Sequence, residues 1–329
     1  MQRRHLLRMI GGGAIAAAVS SQSGCSADLP PQATAAWAGP AALPPGADPR
    51  PWILSWAILA PHSHNLQSWL VDLRQPDQIV LHLDHSRLLP ETDPFSRQMM
   101  LSQGTFLELI DLAAREQGLR ADITLFPEGG IDGEASGGRA LRDRPTARIR
   151  LLRDPGIARD PLFAQIARQH TNREAYGDTT PSAEALRAID AAAAVPGLRQ
   201  RTRAVTAGDA AIAEHRAIAR DAWRVELVTP RTVLESLHWM RVGPTEIARH
   251  RDGISVNAPL VRAAAVLGLI DRSQAPAPDS RITRQQIEDF NQRIERTPAF
   301  YAMVSDGNTR ETQVLAGRAW VRGQLAATA

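Results

Sequence analysis

The longest helical pattern in the chain runs from Arg97 to Gln117 and is followed by Gly118. Apolar residues recur within it at the three- and four-residue spacing that places them on one face of a helix. They are Met100, Leu101, Phe106, Leu109, Ile110 and Ala113. Glycine readily adopts the left-handed conformation that ends many helices, so Gly118 predicts where this one stops. Burying such a helix requires a large core, which a chain of 329 residues can supply.

Segments in which apolar and polar residues alternate flank this helix, as expected of half-buried strands. One pair of segments, 68–73 and 78–84, surrounds Gln75-Pro76-Asp77 and predicts a β-hairpin. Further strands are predicted at 119–126 and 147–152, and a helix at 52–59. The sequence therefore predicts an α+β fold, with an antiparallel sheet covered by helices.

The chain after residue 160 is richer in helical patterns. Residues 231–250 predict either one helix or two helices with a break at Gly243-Pro244. We also expect a loop over 252–259, a helix capped by Thr283 and a last helix opening at Thr309. The predicted helices are 161–169, 182–194, 209–223, 231–250, 260–269 and 283–296, and the predicted strands are 202–205 and 298–304. We place two related halves at 51–159 and 160–329. We expect the second half to be truncated, because its last helix reaches Ala329 without a cap.

All 38 basic residues are arginine, and the chain contains no lysine. This composition excludes Schiff-base and P-loop lysine chemistry. The net charge is only +3, so we expect no nucleic-acid partner. One basic cluster, between Arg139 and Arg153, is interpreted as a solvated loop and strand edge.

The first 25 residues have the features of an export signal. Arg3-Arg4 precedes the short, weakly apolar stretch 9–19, which resembles a twin-arginine (Tat) signal. Cys25 would be lipidated if Ser23-Gly24-Cys25 ends a lipobox; the alternative is ordinary cleavage near 33–36. Residues 26–50 are rich in proline and alanine and predict a tether. We therefore expect a periplasmic or cell-envelope protein, with a membrane tether through Cys25 if that residue is lipidated.

Residues 60–69 form the most informative segment for function. Pro61 ends the preceding helix, and Ser63, Asn65 and Gln67 follow it. Amide side chains offer both hydrogen-bond donors and acceptors. They can match a flat heterocycle whose edge alternates carbonyl and NH groups. The alternative is a polar turn that satisfies its own backbone.

The same segment allows a metal-site interpretation. His62 and His64, with His82 and His85 nearby in sequence, could bind zinc, as in metal-dependent hydrolases. No later acidic or histidine cluster clearly completes such a site, and we therefore expect no metal.

Residues 60–69 resemble the Ser-x-x-Asn-x-Gln-Pro-Trp loop of the nitroreductase family of FMN-dependent oxidoreductases. The narrower resemblance is to the Acg-like branch, in which two nitroreductase-type halves are fused. Residues 166–176 are similar to that branch's Arg-Arg-His-Thr-Asn-Arg-x-Pro-Phe segment, and residues 83–94 to its Leu-Asp-x-x-Arg-x-Leu-Pro-x-Thr-Asp-Pro segment. The resemblance extends from about residue 52 to the C-terminus and implies a nitroreductase-like fold around one FMN.

This resemblance also implies the cofactor-binding residues. Ser63, Asn65 and Gln67 would contact the flavin ring. The ribityl and phosphate groups would be held by His170 and Thr171, with Arg168 reaching across because Gln169 stands where the branch has arginine. Arg173 would lie beside the N1–O2 edge and stabilise the anion formed on reduction. No catalytic side chain is expected, because the flavin carries the chemistry.

We therefore expect an FMN-dependent oxidoreductase that reduces a nitroaromatic, quinone or similar electron-poor acceptor by two electrons. Its electron donor is not identified by the sequence. The alternative is a non-enzymatic flavin-binding or flavin-sequestering envelope protein, with residues 229–259 as a lid over the flavin. A metal-dependent hydrolase is the third functional hypothesis.

Overall fold

The computed structural model describes residues 29–130 and 144–329. The predicted leader with Cys25, and Arg139 and Arg142 of the basic cluster, lie outside these residues. The described chain combines helices with an antiparallel sheet, which confirms the α+β prediction. It divides into two compact units. The sheet unit lies within 34–170, 183–202 and 303–329, and the helical unit has the described residues 29–33, 171–182 and 203–302.

Within the described ranges, the helices are α1 Pro31–Thr34, α2 Pro49–Ala57, α3 Arg97–Glu116, α4 Ala183–Ala192, α5 Ile212–Val228, α6 Pro230–His238, α7 Gly243–His250, α8 Pro259–Val266, α9 Arg281–Glu295 and α10 Arg310–Thr328. None of them is long and apolar enough to cross a bilayer. The predicted helix at 161–169 is shorter, a 3₁₀ turn over Pro161–Gln165 that Asp160 caps. Helix α9 is capped by Ser280, whose Oγ accepts the Thr283 N–H, so the predicted cap at Thr283 is wrong.

Four antiparallel strands in the order β1-β2-β4-β3 form the sheet of the sheet unit. They are β1 Trp69–Asp72, β2 Gln78–Leu83, β3 Leu119–Leu125 and β4 Ala147–Arg153. Trp69 lies opposite Leu83 and Val71 opposite Leu81, which confirms the predicted hairpin and its register. Every second residue of β2 is buried, because one face of the sheet covers the core.

Helix α3 is the buried centre of the sheet unit. It packs closely against α10, and glycine permits the approach on both helices. A Cβ atom added at Gly104 would lie 1.9 Å from the Val314 carbonyl oxygen, and one added at Gly317 would lie 2.0 Å from the Leu101 carbonyl oxygen. The two helix backbones therefore touch, which requires glycine at both positions.

The helical unit contains a small parallel pair of strands, β6 Met240–Val242 and β7 Ile254–Val256. Helix α7 connects them, so of the two alternatives for 231–250 the structure shows two helices with a break before Gly243. The predicted loop over 252–259 contains a strand. Buried apolar residues from these strands and from α6 and α8 form its core: Leu237, Met240, Val242, Val256 and Val261. Strands of three residues are too short to show a clear alternation, which is why the sequence did not predict them.

Two longer strands, β5 Gln200–Thr206 and β8 Ala299–Ser305, pair with each other and confirm the strands predicted at 202–205 and 298–304. The limits of the two units fall inside both strands.

Candidate functional site

The polar loop, residues 61–68, lies in the sheet unit between α2 and β1. Helix α3 fixes its first residues: Thr105 Oγ1 donates to the Pro61 carbonyl oxygen at 2.7 Å, and the Ser63 N–H donates to Ser102 Oγ at 3.2 Å. Arg87 Nη1 donates to the Leu66 carbonyl oxygen at 2.7 Å. The loop is therefore attached to a buried helix rather than free to rearrange.

Three residues of this loop have left-handed backbone conformations. The φ angles of His64, Asn65 and Gln67 are 50°, 51° and 53°. Asparagine tolerates this region, but each non-glycine residue in it costs about 1 kcal/mol or more. Such strain persists only where the surroundings impose it, and it is concentrated at ligand sites. This geometry makes the polar loop the leading candidate site in the sheet unit.

His62 holds the two ends of the polar loop together. The Ser68 N–H donates to Nε2 at 3.2 Å, and Ser68 Oγ lies 2.6 Å from the same nitrogen. Because a backbone N–H can only donate, Nε2 is the acceptor and the ring proton sits on Nδ1, 2.7 Å from the Ser63 carbonyl oxygen. Burial lowers the pKa of His62 to about 4, and repulsion from His64 and Arg87 adds to this effect. The ring is therefore neutral at pH 7.

The hydrogen bonds of His62 bear on the metal interpretation. Both ring nitrogens already have partners within the polar loop, so His62 is not available as a zinc ligand in this conformation. In the part of the chain that the structure describes, no group of three or more histidine, cysteine, aspartate or glutamate residues could hold a metal ion. Asp84 and Asp93 instead cap short turns or helices by accepting backbone N–H groups.

The side chains of the polar loop present hydroxyl and amide groups together. Ser63 Oγ donates to Gln98 Oε1 at 2.8 Å, and Gln67 Nε2 donates to Asn65 Oδ1 at 2.8 Å. Asn65 is exposed. The structure thus pairs Asn65 with Gln67, and Ser63 with Gln98, and in each pair the internal hydrogen bond could be exchanged for bonds to a ligand.

The second group of candidate residues is divided between the units. Arg168 and His170 belong to the sheet unit, whereas Thr171 and Arg173 belong to the helical unit. Arg168 Nη1 donates to Gln165 Oε1 at 3.2 Å, and His170 Nδ1 lies 3.1 Å from the Arg168 carbonyl oxygen. Both residues are exposed. In this conformation Arg168 turns back on its own segment.

Arg173 lies against helix α9 of the helical unit. Arg293 Nη1 donates to the Arg173 carbonyl oxygen at 2.8 Å. Desolvation by surrounding atoms, and then repulsion from Arg293, lower the pKa of Arg173, although its surface is exposed. The guanidinium stays charged at neutral pH, because arginine titrates far above it. Arg293 did not emerge from the sequence, where it is one of many polar residues on an amphipathic helix.

A third cluster, the ionic cluster, lies beside a concavity of about 580 Å³ in the sheet unit. Glu108 is buried on α3 and accepts Arg318 Nε and Arg322 Nη1, each at 2.7 Å. Arg322 also pairs with Asp160 at 2.9 Å. The charges are mutually compensated, so the cluster ties α10 to α3 and to the 3₁₀ turn after Asp160. Its sequence signal is weak, because Glu108 is one of three acidic residues in α3, with Asp111 and Glu116.

No protein-family model matches this sequence, and comparison with curated proteins finds no match either.

Proposed function

We propose that the protein binds FMN and is an oxidoreductase of nitroreductase type, reducing a nitroaromatic, quinone or similar acceptor by two electrons. The observation that carries this proposal is the polar loop: strained, fixed to a buried helix, and bearing a hydroxyl and two amides at its surface. Strain and pre-organisation of this kind favour a ligand-binding role over an ordinary surface turn. The proposal includes a fold of two fused nitroreductase-like halves.

The residues present suit the flavin ring. Asn65 and Gln67 supply the donor and acceptor groups that the alternating pyrimidine edge requires. The resemblance, rather than the arrangement of the units, implies that Arg173 would supply a permanent positive charge for the edge that becomes anionic on reduction. When bound, FMN would supply the hydride chemistry, and the protein would bind and orient it. Arg168, His170 and Thr171 are proposed for the ribityl and phosphate groups. Export to the envelope through residues 1–25 remains part of this proposal.

Flavin storage without catalysis is the second candidate, and a polar loop in which His62 donates no proton is compatible with it. The histidine is neutral at pH 7 and both of its nitrogens are engaged, so it is poorly placed to donate a proton to a substrate. An enzyme would need another donor, such as water or the flavin itself. Tight FMN retention with slow reduction by nicotinamide and quinol donors would favour storage, whereas rapid turnover with either donor would favour the oxidoreductase.

The first experiment is the absorbance spectrum of the full chain purified from an envelope fraction. We expect bound FMN. Asn65→Ala and Gln67→Ala should each weaken FMN binding about fivefold, the loss of one hydrogen bond of about 1 kcal/mol. Arg173→Ala should weaken FMN binding by about 1.5–3 kcal/mol, the value of a charged hydrogen bond, and should lower the reduction potential of the flavin.

Gln75→Ala is the matched control, because Gln75 is an exposed amide in the turn of the β1–β2 hairpin. It should leave FMN retention unchanged. A colourless protein that stays colourless after incubation with excess FMN would refute both the oxidoreductase and the storage candidate.

A further inference from the structure

Strand β3 forms one edge of the four-stranded sheet, because the strand order is β1-β2-β4-β3. It pairs with β4 from Leu119, opposite Arg153, to Leu125, opposite Ala147. An edge strand presents a row of main-chain N–H and C=O groups to which another extended chain can bond. Strand β3 has seven residues and β1, at the other edge, has four, so β3 presents the longer row.

The register shows which main-chain groups of β3 face outward. Just beyond its two ends, the Phe126 N–H donates to the Thr146 carbonyl oxygen at 2.9 Å, and the Asp154 N–H donates to the Gly118 carbonyl oxygen at 3.0 Å. Hydrogen-bonded and non-hydrogen-bonded pairs alternate along an antiparallel ladder, so the even-numbered residues of β3 bond to β4. The N–H and C=O groups of the odd-numbered residues therefore point away from the sheet.

Three of these outward-facing residues line the concavity beside the ionic cluster. Ala121, Ile123 and Leu125 all contribute to its wall, and its volume is about 580 Å³. In the part of the chain that the structure describes, no protein group bonds to their outward N–H and C=O groups. At about 3.3 Å per residue they extend over about 13 Å, so an extended peptide of about five residues would pair along them.

The charged side chains of β3 leave this edge open to a partner. Charged residues often protect an edge strand from other chains. Here, however, Arg120 pairs with Asp154 and Asp122 pairs with Arg150, so both charges are directed to the neighbouring strand or to its end.

The other residues around the concavity indicate what kind of peptide it fits. Five acidic and four basic side chains line it, together with the apolar side chains of Val195 and Leu315. Glu311 is exposed in the first turn of α10, and within the described ranges it forms no ion pair. Complementary charge favours the correct partner and excludes others, so a basic side chain suits this concavity better than an acidic one.

We propose that β3 is a docking site, the edge-strand site, for an extended basic peptide segment of a partner protein. The main chain of the peptide bonds to Ala121, Ile123 and Leu125, and every second side chain faces the concavity. An apolar side chain there contacts Leu315, and a lysine or arginine pairs with Glu311. The edge-strand site lies within the sheet unit, at the edge opposite to β1 and the polar loop. It is therefore independent of the proposed flavin function.

The first test selects peptides from a randomised heptapeptide library on the wild-type full chain, and measures an enriched peptide by fluorescence anisotropy. We expect β-branched residues at alternating positions, with at least one lysine or arginine. Ile123→Pro should lower the affinity about fivefold or more, because it removes an outward N–H whose bond contributes about 1 kcal/mol. Proline is tolerated there, since the N–H of Ile123 does not bond to β4. Ile123→Val keeps the N–H and should bind like the wild type.

The second test concerns the charge of the peptide. Glu311→Gln should lower the affinity for a basic peptide about threefold, as expected for an exposed ion pair of less than about 1 kcal/mol. It should also reduce the share of lysine and arginine among the enriched peptides. Glu184→Gln is the matched control, because Glu184 lies in the first turn of α4 and outside the concavity. Equal affinity and equal preference in both variants would overturn the assignment of a basic partner.

Hydrogen exchange tests the edge-strand site without any substitution. In the free wild-type chain, the amides of Ala121, Ile123 and Leu125 should exchange faster than those of their even-numbered neighbours, which bond to β4. The bound peptide should slow the three outward amides and leave the even-numbered ones unchanged. Protection elsewhere would overturn the proposal, as would wild-type affinity in a folded Ile123→Pro variant or the absence of any enriched peptide.

The same measurement distinguishes the other possible occupants of the edge. Slow exchange of the three outward amides in the free chain, at every protein concentration, would show that another segment of this chain covers β3. Protection that increases with protein concentration in the absence of peptide would show that a second copy covers it. Either result would overturn the proposal of a peptide partner.

Discussion

The two units achieve their stability in different ways. In the sheet unit, α3 buries fifteen of its 20 residues against the sheet and α10. In the helical unit, α5 is almost as long, with 17 residues, but buries only Ile212. The sheet unit is thus fixed by close backbone packing, whereas the helical unit depends on a small apolar cluster and on surface ion pairs. The polar loop is therefore presented by a rigid scaffold, whereas Arg173 lies in a less densely packed unit.

The exposed apolar residues of the two units add to this contrast. Leu260, Val266 and Leu267, on and just after α8, are 69%, 87% and 70% exposed. Helix α8 is apolar on both faces, although only one face meets the core of the helical unit. Apolar area left in water contributes nothing to stability. The helical unit should therefore be the less stable of the two.

The largest effect should follow from Gly104→Ala. The new Cβ would lie 1.9 Å from the Val314 carbonyl oxygen, so α3 and α10 must separate. We expect the sheet unit to lose more than about 3 kcal/mol, the upper range of overpacking costs, measured by urea denaturation. Gly130→Ala is the control, since no atom lies within 4 Å of its added Cβ. Equal stability of Gly104→Ala and the wild type would show that backbone contact does not fix the sheet unit.

The next largest effect should come from Glu108→Gln. The change leaves Arg318 and Arg322 half-buried beside a neutral amide, and breaking a buried ion pair costs about 3 kcal/mol. The loss should appear in the midpoint of denaturation of the sheet unit. Asp72→Asn, which breaks the surface pair with Arg74, should leave the midpoint unchanged. A similar, small effect of both changes would mean that the ionic cluster adds little to the packing of α10.

A pH-dependent effect should distinguish the polar loop from the helical unit. The pKa of His62 is depressed in the folded state to about 4, so the unfolded state binds the proton more readily. The contribution of neutral His62 to the free energy of unfolding is therefore complete above about pH 6.5, the pKa of histidine in the unfolded chain, and it is lost as the pH falls toward 4. When the pH falls from 7 to 5, we expect the free energy of unfolding of the sheet unit to decrease by about 2 kcal/mol because of His62.

The raised pKa values of Asp93 and Asp111, each caused first by burial, act in the opposite direction. The comparison with His62→Gln isolates the histidine, because its share of the pH dependence should vanish. In the helical unit, the pKa of Glu246 is lowered, since bonds from the Val242 N–H and Arg272 outweigh its desolvation. The contribution of Glu246 is thus lost only below about 4.5. If the free energy of unfolding depends on pH equally in the wild type and in His62→Gln, His62 does not stabilise the polar loop in its neutral form.

These differences also explain what the sequence could and could not predict. The alternation of apolar and polar residues predicted the β1–β2 register, and the three- and four-residue spacing of apolar residues predicted α3. Both patterns were informative because these elements bury one face against a large core. The partners of Glu108 lie 210 and 214 residues away, and local patterns contain no information about such distant pairs. The short strands β6 and β7 were missed for the related reason that their order comes from tertiary contacts.

The candidate site shows the same division. Residue types alone identified Ser63, Asn65 and Gln67 as one polar segment, because amides and hydroxyls are informative wherever they occur. The left-handed angles of that segment and the role of His62 depend on α3, which is distant in sequence. Arg293 was missed because an arginine on an amphipathic helix is usually solvated. Its contact with the main chain of Arg173 joins two segments that are 120 residues apart in sequence.

The smallest predicted effect uses the N-caps of one helix from each unit. Ser280 Oγ accepts the Thr283 N–H at 3.2 Å, and Thr309 Oγ1 accepts the Thr312 N–H at 3.1 Å. Removing either cap by substitution with alanine should lower the free energy of unfolding by about 1 kcal/mol.

The two helices differ in burial, because α10 has eight buried residues whereas α9 has only Thr283. Thr309→Ala should therefore lower protection from hydrogen exchange throughout α10 and α3, and Ser280→Ala only near the start of α9. The controls Thr309→Ser and Ser280→Thr keep the caps and should restore protection. If both alanine variants produce equally widespread exchange, the two helices are equally coupled to their cores, and the contrast between the units does not extend to their dynamics.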